Sequence, residues 1–266
     1  MPTLPRPDVD LYYEISGEGP PLLLIPGMLS DSASWLPVIP LLSPHFTLIR
    51  VDNRATGRMQ NCGPFTLTDC VKDIAALLDH LDLKDVHVAG HSMGGYLSLM
   101  LAEHAADRLA SISLMTSAAT NGPRNFLLFE QALSLRQNTN LPTGFWLRNM
   151  FPWFMSPSFF TDPSLLDGAI TASQAYPFAQ SVDAMQLQIK ALTGFDAADH
   201  CNPLPCRAQA ILGANDLLFP ETDARKALAA IPDLTIKTIP DAAHSIHWEQ
   251  PQKLAEALKT FALNAP

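Results

Sequence analysis

Val86-His87-Val88-Ala89-Gly90-His91-Ser92-Met93-Gly94-Gly95-Tyr96-Leu97-Ser98-Leu99-Met100-Leu101 passes from a short apolar run, through a glycine-flanked serine, into a helix-forming segment. A glycine two residues before Ser92 and another two after it let a strand turn sharply into a helix without a Cβ clash. In such a turn the serine is strained and its hydroxyl stands exposed at the strand tip. A hydroxyl alone is a weak nucleophile, so Ser92 calls for a base and an acid elsewhere in the chain.

The surrounding sequence repeats the strand-then-helix rhythm. Asp10–Ser16, Leu22–Ile25, Phe46–Asp52 and Leu109–Met115 read as strands, with helices over Ser34–Leu42 and Leu67–Leu81. Leu22-Leu-Leu-Ile25 is apolar throughout, as expected of a strand covered on both faces. Short apolar strands alternating with amphipathic helices predict a mostly parallel sheet of eight strands with helices on both faces. The rhythm breaks between residues 121 and 199, where Phe, Trp, Met, Leu and Pro are frequent and strand-like runs are missing. It resumes with Ala208–Gly213, a helix over Asp223–Ala230, Leu234–Ile239 and a last helix over Pro251–Leu263. Residues 1–120 and 200–266 are thus expected to form an α/β domain. Residues 121–199 would be a helical lid inserted after the sixth strand.

Two further residues lie where strands end. Asp216 follows Ala208–Gly213, and His244 follows Leu234–Ile239. Side chains above the carboxyl edge of a parallel sheet face a common crevice. Asp241 competes with Asp216 for the acid's place, and His247 competes with His244 for the base's. Asp241 reads as part of the turn into the base, and His247 as a structural or pocket histidine. His91 reads as packed beneath the serine turn, Arg54 with Asp52 as a structural ion pair, and Arg124, Arg136 and Arg148 as solvated lid residues.

These motifs resemble the α/β-hydrolase superfamily over essentially the whole chain. The matching segments are Gly90-His-Ser-Met-Gly-Gly95, Gly213-x-x-Asp216-x-x-x-Pro220 and His244-x-x-x-x-Glu249-x-Pro251. Pro26-Gly27-Met28, with Trp35 after it, stands where many relatives carry His-Gly-x, and Asp52-Asn-Arg-Ala-Thr-Gly57 is similar to a further family turn. Small bacterial esterases, enol-lactone hydrolases and aminoacrylate hydrolases are the nearest in character. The resemblance implies Ser92 as nucleophile, His244 as general base and acid, and Asp216 as its orienting carboxylate. It further implies backbone N–H groups of Met28 and Met93 as the oxyanion hole, with no cofactor and no metal. A serine at this position argues against relatives that use a carboxylate nucleophile, the haloalkane dehalogenases and epoxide hydrolases.

The expected reaction is hydrolysis of an ester, lactone or related acyl bond in a small to medium, largely apolar substrate through an acyl-enzyme. Carbon–carbon bond hydrolysis of a vinylogous diketone and perhydrolysis use the same triad and stay open, as does a ligand-sensing role on a hydrolase scaffold. Trp35, Phe129, Trp146, Phe151, Phe154, Leu217 and His247 are the expected pocket residues.

Composition bounds the partners. Of the 266 residues, 47% are apolar and 16% charged, enough apolar surface for a large core. A formal net charge of −9 without a Lys/Arg cluster speaks against nucleic acid. No stretch has the roughly 18 continuous apolar residues of a membrane span. Cys62, Cys70, Cys201 and Cys206 lack zinc-ligand spacing. Together with an N-terminus lacking an apolar signal core, they point to free thiols in a cytoplasmic protein.

Overall fold

The computed structural model describes residues 2–120, 122–201 and 203–264. Asn121, where the sequence begins the expected insertion, lies outside the described residues, as do Met1, Asn202 and residues 265–266. Eight strands form one sheet: β1 (Thr3–Pro5), β2 (Asp10–Ser16), β3 (Pro21–Ile25), β4 (Thr47–Val51), β5 (Val86–His91), β6 (Leu109–Met115), β7 (Arg207–Gly213) and β8 (Thr235–Ile239). Their spatial order is β1-β2-β4-β3-β5-β6-β7-β8. The β1/β2 and β2/β4 pairs are antiparallel, and every later pair is parallel.

Alternation along the strands feeds two cores. Leu23 and Ile25 of β3 enter one, Leu22 and Leu24 the other. The first core holds α2 (Leu67–His80), α3 (Met93–His104) and α8 (Glu221–Leu228), through residues such as Val71, Leu97 and Leu228. The second holds α1 (Ile39–Leu42) and α10 (Pro251–Leu263), through Leu42, Leu254 and Leu258. Helix α2 begins at a reciprocal cap: the Asp69 carboxylate accepts from the Thr66 N–H at 2.8 Å, and the Asp69 N–H donates to Thr66 Oγ1.

Between β6 and β7 the chain runs through α4 (Pro123–Gln137), α5 (Phe145–Phe154), α6 (Pro163–Ala175) and α7 (Val182–Leu192). The short α9 (Ile246–Glu249) precedes α10. Three details differ from the sequence expectation. The helix expected over Ser34–Leu42 is a 3-10 turn at Ser32–Trp35 followed by the single turn α1, because Pro37 and Pro40 cannot donate to a continuous helix. The helix expected over Asp223–Ala230 starts two residues earlier and ends at Leu228. Strand β1, unforeseen, is a three-residue edge strand. Among the described residues, no helix is long and apolar enough to cross a membrane.

Candidate active site

Ser92 joins β5 to α3 with φ 53° and ψ −117°. A non-glycine backbone there is strained by about 1–3 kcal/mol and persists only when its surroundings fix it. They do: the Ser92 N–H donates to the Met115 carbonyl at 2.9 Å, and the Ser92 carbonyl accepts from the Gly95 N–H at 2.9 Å and Ser117 Oγ at 2.8 Å. The flanking glycines are required by crowding. A Cβ on Gly90 would sit 2.1 Å from the Gly94 carbonyl oxygen, and one on Gly94 would sit 2.1 Å from that of Ile25. A Cβ on Gly27 would come within 3.1 Å of Ser92 Cβ, so the loop after β3 lies directly against the serine. Met28 is in this loop, and Met93 opens α3, where the first N–H groups have no partner within the helix.

His244 and Asp216 meet from different strand ends. His244 Nδ1 lies 3.0 Å from Asp216 Oδ2, with both side chains at least 95% removed from solvent. The second carboxylate oxygen of Asp216 accepts from the Leu218 and Phe219 N–H groups at 2.8 and 3.1 Å, which fixes its plane. An Nδ1–H directed at a carboxylate leaves Nε2 as the ring's lone-pair nitrogen. The His244 segment is in turn bound to the serine turn. The His244 carbonyl accepts from His91 Nε2 at 2.9 Å and from Thr116 Oγ1 at 3.0 Å, and the His91 and His244 rings are centred 4.8 Å apart. Residues 91 and 92 being adjacent, His244 is held beside the Ser92 turn. Asp241 instead sits exposed in the preceding turn with φ 58°.

Ser92, Met28 and Met93 border a pocket. Its other walls are Tyr96 from α3, Leu218 and Phe219 from the Asp216 loop, and Asn125, Phe126, Phe129, Ile189 and Leu192 from α4 and α7. Phe154 and Phe219 flank His244, their rings centred 6.0 and 5.8 Å from it.

Of the pocket residues expected from sequence, Phe129 lines the cavity and Phe154 stacks on His244. The others lie elsewhere. Trp35 is fully buried in the core with α1 and α10 and packs on His247 at 5.4 Å. His247 is likewise buried, 4.5 Å from the His91 ring, and burial together with the nearby His244 pushes its pKa down to about 3. Leu217 turns outward, 49% exposed, while Leu218 faces the pocket. Trp146 carries the Arg136 guanidinium 4.6 Å above its ring, and Phe151 stacks on Phe159 at 5.8 Å.

The arginine readings also shift. Arg54 is paired with Asp73 and Asp8, both at 2.7 Å, whereas Asp52 accepts from the N–H groups of Ser32 and Arg58. Arg124 is exposed, as expected, and donates to the Leu217 carbonyl; Arg136 is half-buried and anchored to the Gln180 carbonyl; Arg148 pairs with Asp167 at the surface. Asn125, Tyr96, Ile189 and Leu192 were not foreseen as pocket residues. Of these only Tyr96 carried a signal, one helical turn past Ser92 on α3. Among the described residues, no three His, Cys, Asp or Glu side chains cluster to hold a metal ion.

Comparison with known proteins bears on this arrangement. The chain is 27% identical over 265 residues to a proposed carbamate hydrolase, RutD, of Azorhizobium caulinodans, covering 98% of both chains. Its fold is similar to that of the Rv0554 protein of Mycobacterium tuberculosis (TM-score 0.85, 25% identity, 97% and 95% of the two chains). The enol-lactonase of Burkholderia xenovorans shares the fold at TM-score 0.84 and 23% identity, over 99% of this chain and 100% of its own. The sequence model of the alpha/beta hydrolase family matches residues 22–257, from β3 through β8 with the intervening helices, and the chain belongs to that family.

Proposed function

We propose that the protein is a serine hydrolase that cleaves a carboxylic ester, lactone or related acyl bond through an acyl-enzyme. The observation that carries this reading is the 3.0 Å contact between His244 and Asp216, bound through the His244 carbonyl to the turn that strains Ser92. Ser92 Oγ attacks the acyl carbon while His244 Nε2 takes its proton. The resulting oxyanion is met by the Met28 and Met93 N–H groups, each such donor being worth on the order of 10²–10³ in turnover. His244 then protonates the leaving group as the tetrahedral intermediate collapses. Water, deprotonated by the same nitrogen, releases the acid and restores Ser92. Asp216 holds the Nδ1–H tautomer and stabilises the imidazolium formed in each half-reaction.

Residues 121–199 act as a cap, since α4 and α7 supply half of the pocket wall. The largely apolar lining suits a largely apolar acyl compound. The relative's name adds carbamates to the bonds worth assaying. Labelling with a fluorophosphonate, followed by peptide mapping, tests the scheme. Wild type should be modified once, at Ser92, and Ser92→Ala should lose both labelling and ester turnover. Modification at another residue, or undiminished turnover by the variant, excludes the acyl-enzyme.

A further inference from the structure

The pocket beside Ser92 is apolar except at two side chains other than the serine itself. One is Tyr96, whose hydroxyl spends its hydrogen on the Thr120 carbonyl at 3.1 Å. The other is Asn125, only 5% exposed. Its Nδ2 donates to the Leu218 carbonyl at 2.9 Å, which fixes the amide's orientation, because the flipped amide would set Oδ1 against a carbonyl oxygen. Oδ1 is left shielded from solvent with no hydrogen-bond partner.

Nothing in the helix accounts for that oxygen. Asn125 is the third residue of α4, where its backbone N–H already donates to the Gly122 carbonyl at 3.0 Å, and leucine or alanine would serve the helix better. The bond to Leu218 explains the amide nitrogen but not the acceptor beside it. A buried acceptor without a donor is costly, and a site built around one rejects ligands that cannot supply the donor.

We propose that Asn125 Oδ1 is a substrate-binding group, and that the substrate class is an acyl compound carrying an O–H or N–H donor near the scissile carbonyl. This deepens the serine-hydrolase reading and rests on it. The pocket's phenylalanine, leucine and isoleucine walls accept the carbon skeleton, and the unpaired Oδ1 selects one donor upon it. A substrate with a methyl in place of the donor would fit the volume and leave Oδ1 unpaired.

Matched pairs test this. The acyl arm compares p-nitrophenyl 3-hydroxybutanoate with 3-methylbutanoate, and 2-hydroxypropanoate with 2-methylpropanoate. The leaving-group arm compares 2-hydroxyethyl acetate with propyl acetate. For each pair the ratio of kcat/KM, hydroxyl over methyl, is measured in wild type, Asn125→Leu and Asn125→Ala. Ratios cancel any general loss from the broken bond to Leu218, and the second variant covers a failure of the first to fold. In at least one pair the wild-type ratio should exceed that of the variants by roughly 10- to 100-fold; the arm in which this occurs tells which half of the substrate bears the donor. Equal ratios in wild type and variants across every pair, with Ser92 still labelled by fluorophosphonate, overturn the role of Asn125 alone. Absence of labelling in wild type overturns the serine mechanism and this inference with it.

Discussion

Gln188 of α7 accepts, on Oε1, a hydrogen bond from the Leu29 backbone N–H at 3.0 Å, joining α7 to the loop against Ser92. Leu29 has φ 63° and follows Met28, the proposed oxyanion donor. Gln188 is fully buried, and its Oε1 also receives the Gln180 Nε2 at 3.1 Å, which reaches on to the Ala55 carbonyl at 2.7 Å. Helices α4 and α5 touch two further loops similarly: Asn125 donates to the Leu218 carbonyl, and the Ser245 N–H donates to the Phe154 carbonyl at 2.9 Å.

Gln188→Met keeps the side chain's length and removes the acceptor. With the Leu29 N–H unpaired, the 28–29 peptide loses its anchor and the Met28 donor its aim. Ester kcat should fall by roughly 10- to 100-fold, short of the 10²–10³ for losing a donor outright, with KM changed far less. A rise in KM at constant kcat points instead to a simple contribution to substrate binding.

Crowding at the serine turn makes a stability prediction. In Gly94→Ala the new Cβ meets the Ile25 carbonyl at 2.1 Å and further backbone atoms, none of which is a flexible side-chain end. The cost should exceed the roughly 1–3 kcal/mol of ordinary overpacking. Gly168→Ala in α6, where an added Cβ meets nothing within 4 Å, should stabilise by about 0.5–1 kcal/mol. Urea denaturation of the two variants reads both signs.

Much of this fold is written locally. Asp10–Ser16, Leu109–Met115 and Pro251–Leu263 form the expected elements because an apolar run, or an amphipathic period opened by proline, needs no distant partner to be recognised. Ser92, Asp216 and His244 stand out for the same reason, each tied to a strand end. Pocket walls carry no such mark. Trp35 resembles a pocket aromatic until packing against α10 buries it on the other face of the sheet, and Leu217 and Leu218 differ only in which way one turn points them. Arg54 was paired with its neighbour in sequence, whereas its partner Asp73 comes from α2, across the fold.

That pair gives a third prediction. Asp73 is 2% exposed and holds Arg54 at 2.7 Å and Arg6 at 3.1 Å. Arg54→Met leaves the buried carboxylate short of its main partner and should destabilise by roughly 3–5 kcal/mol. Activity per folded molecule should be unchanged, as neither residue borders the pocket. Calorimetry with active-site titration separates the two effects.

The buried histidines set the acid limit of stability. Burial holds His247 near a pKa of about 3 and His91 well below the ordinary 6.5, with the neighbouring rings of His244 and of each other adding to the depression in His91. His247 is faced by Trp35, His91 and Trp248, with ring centres 5.4, 4.5 and 6.5 Å away. A base whose native pKa is lowered binds fewer protons folded than unfolded. Its contribution to stability is therefore complete above pH 6.5 and is lost as the pH falls below that value. Each such histidine steepens the loss by up to about 1.4 kcal/mol per pH unit. Buried His87, also lowered, adds in the same direction. Urea midpoints across that window should fall steeply in wild type and less steeply in His247→Gln, by close to one histidine's share. Parallel slopes for the two proteins mean that His247 is protonated in the folded state or stays out of the unfolding equilibrium.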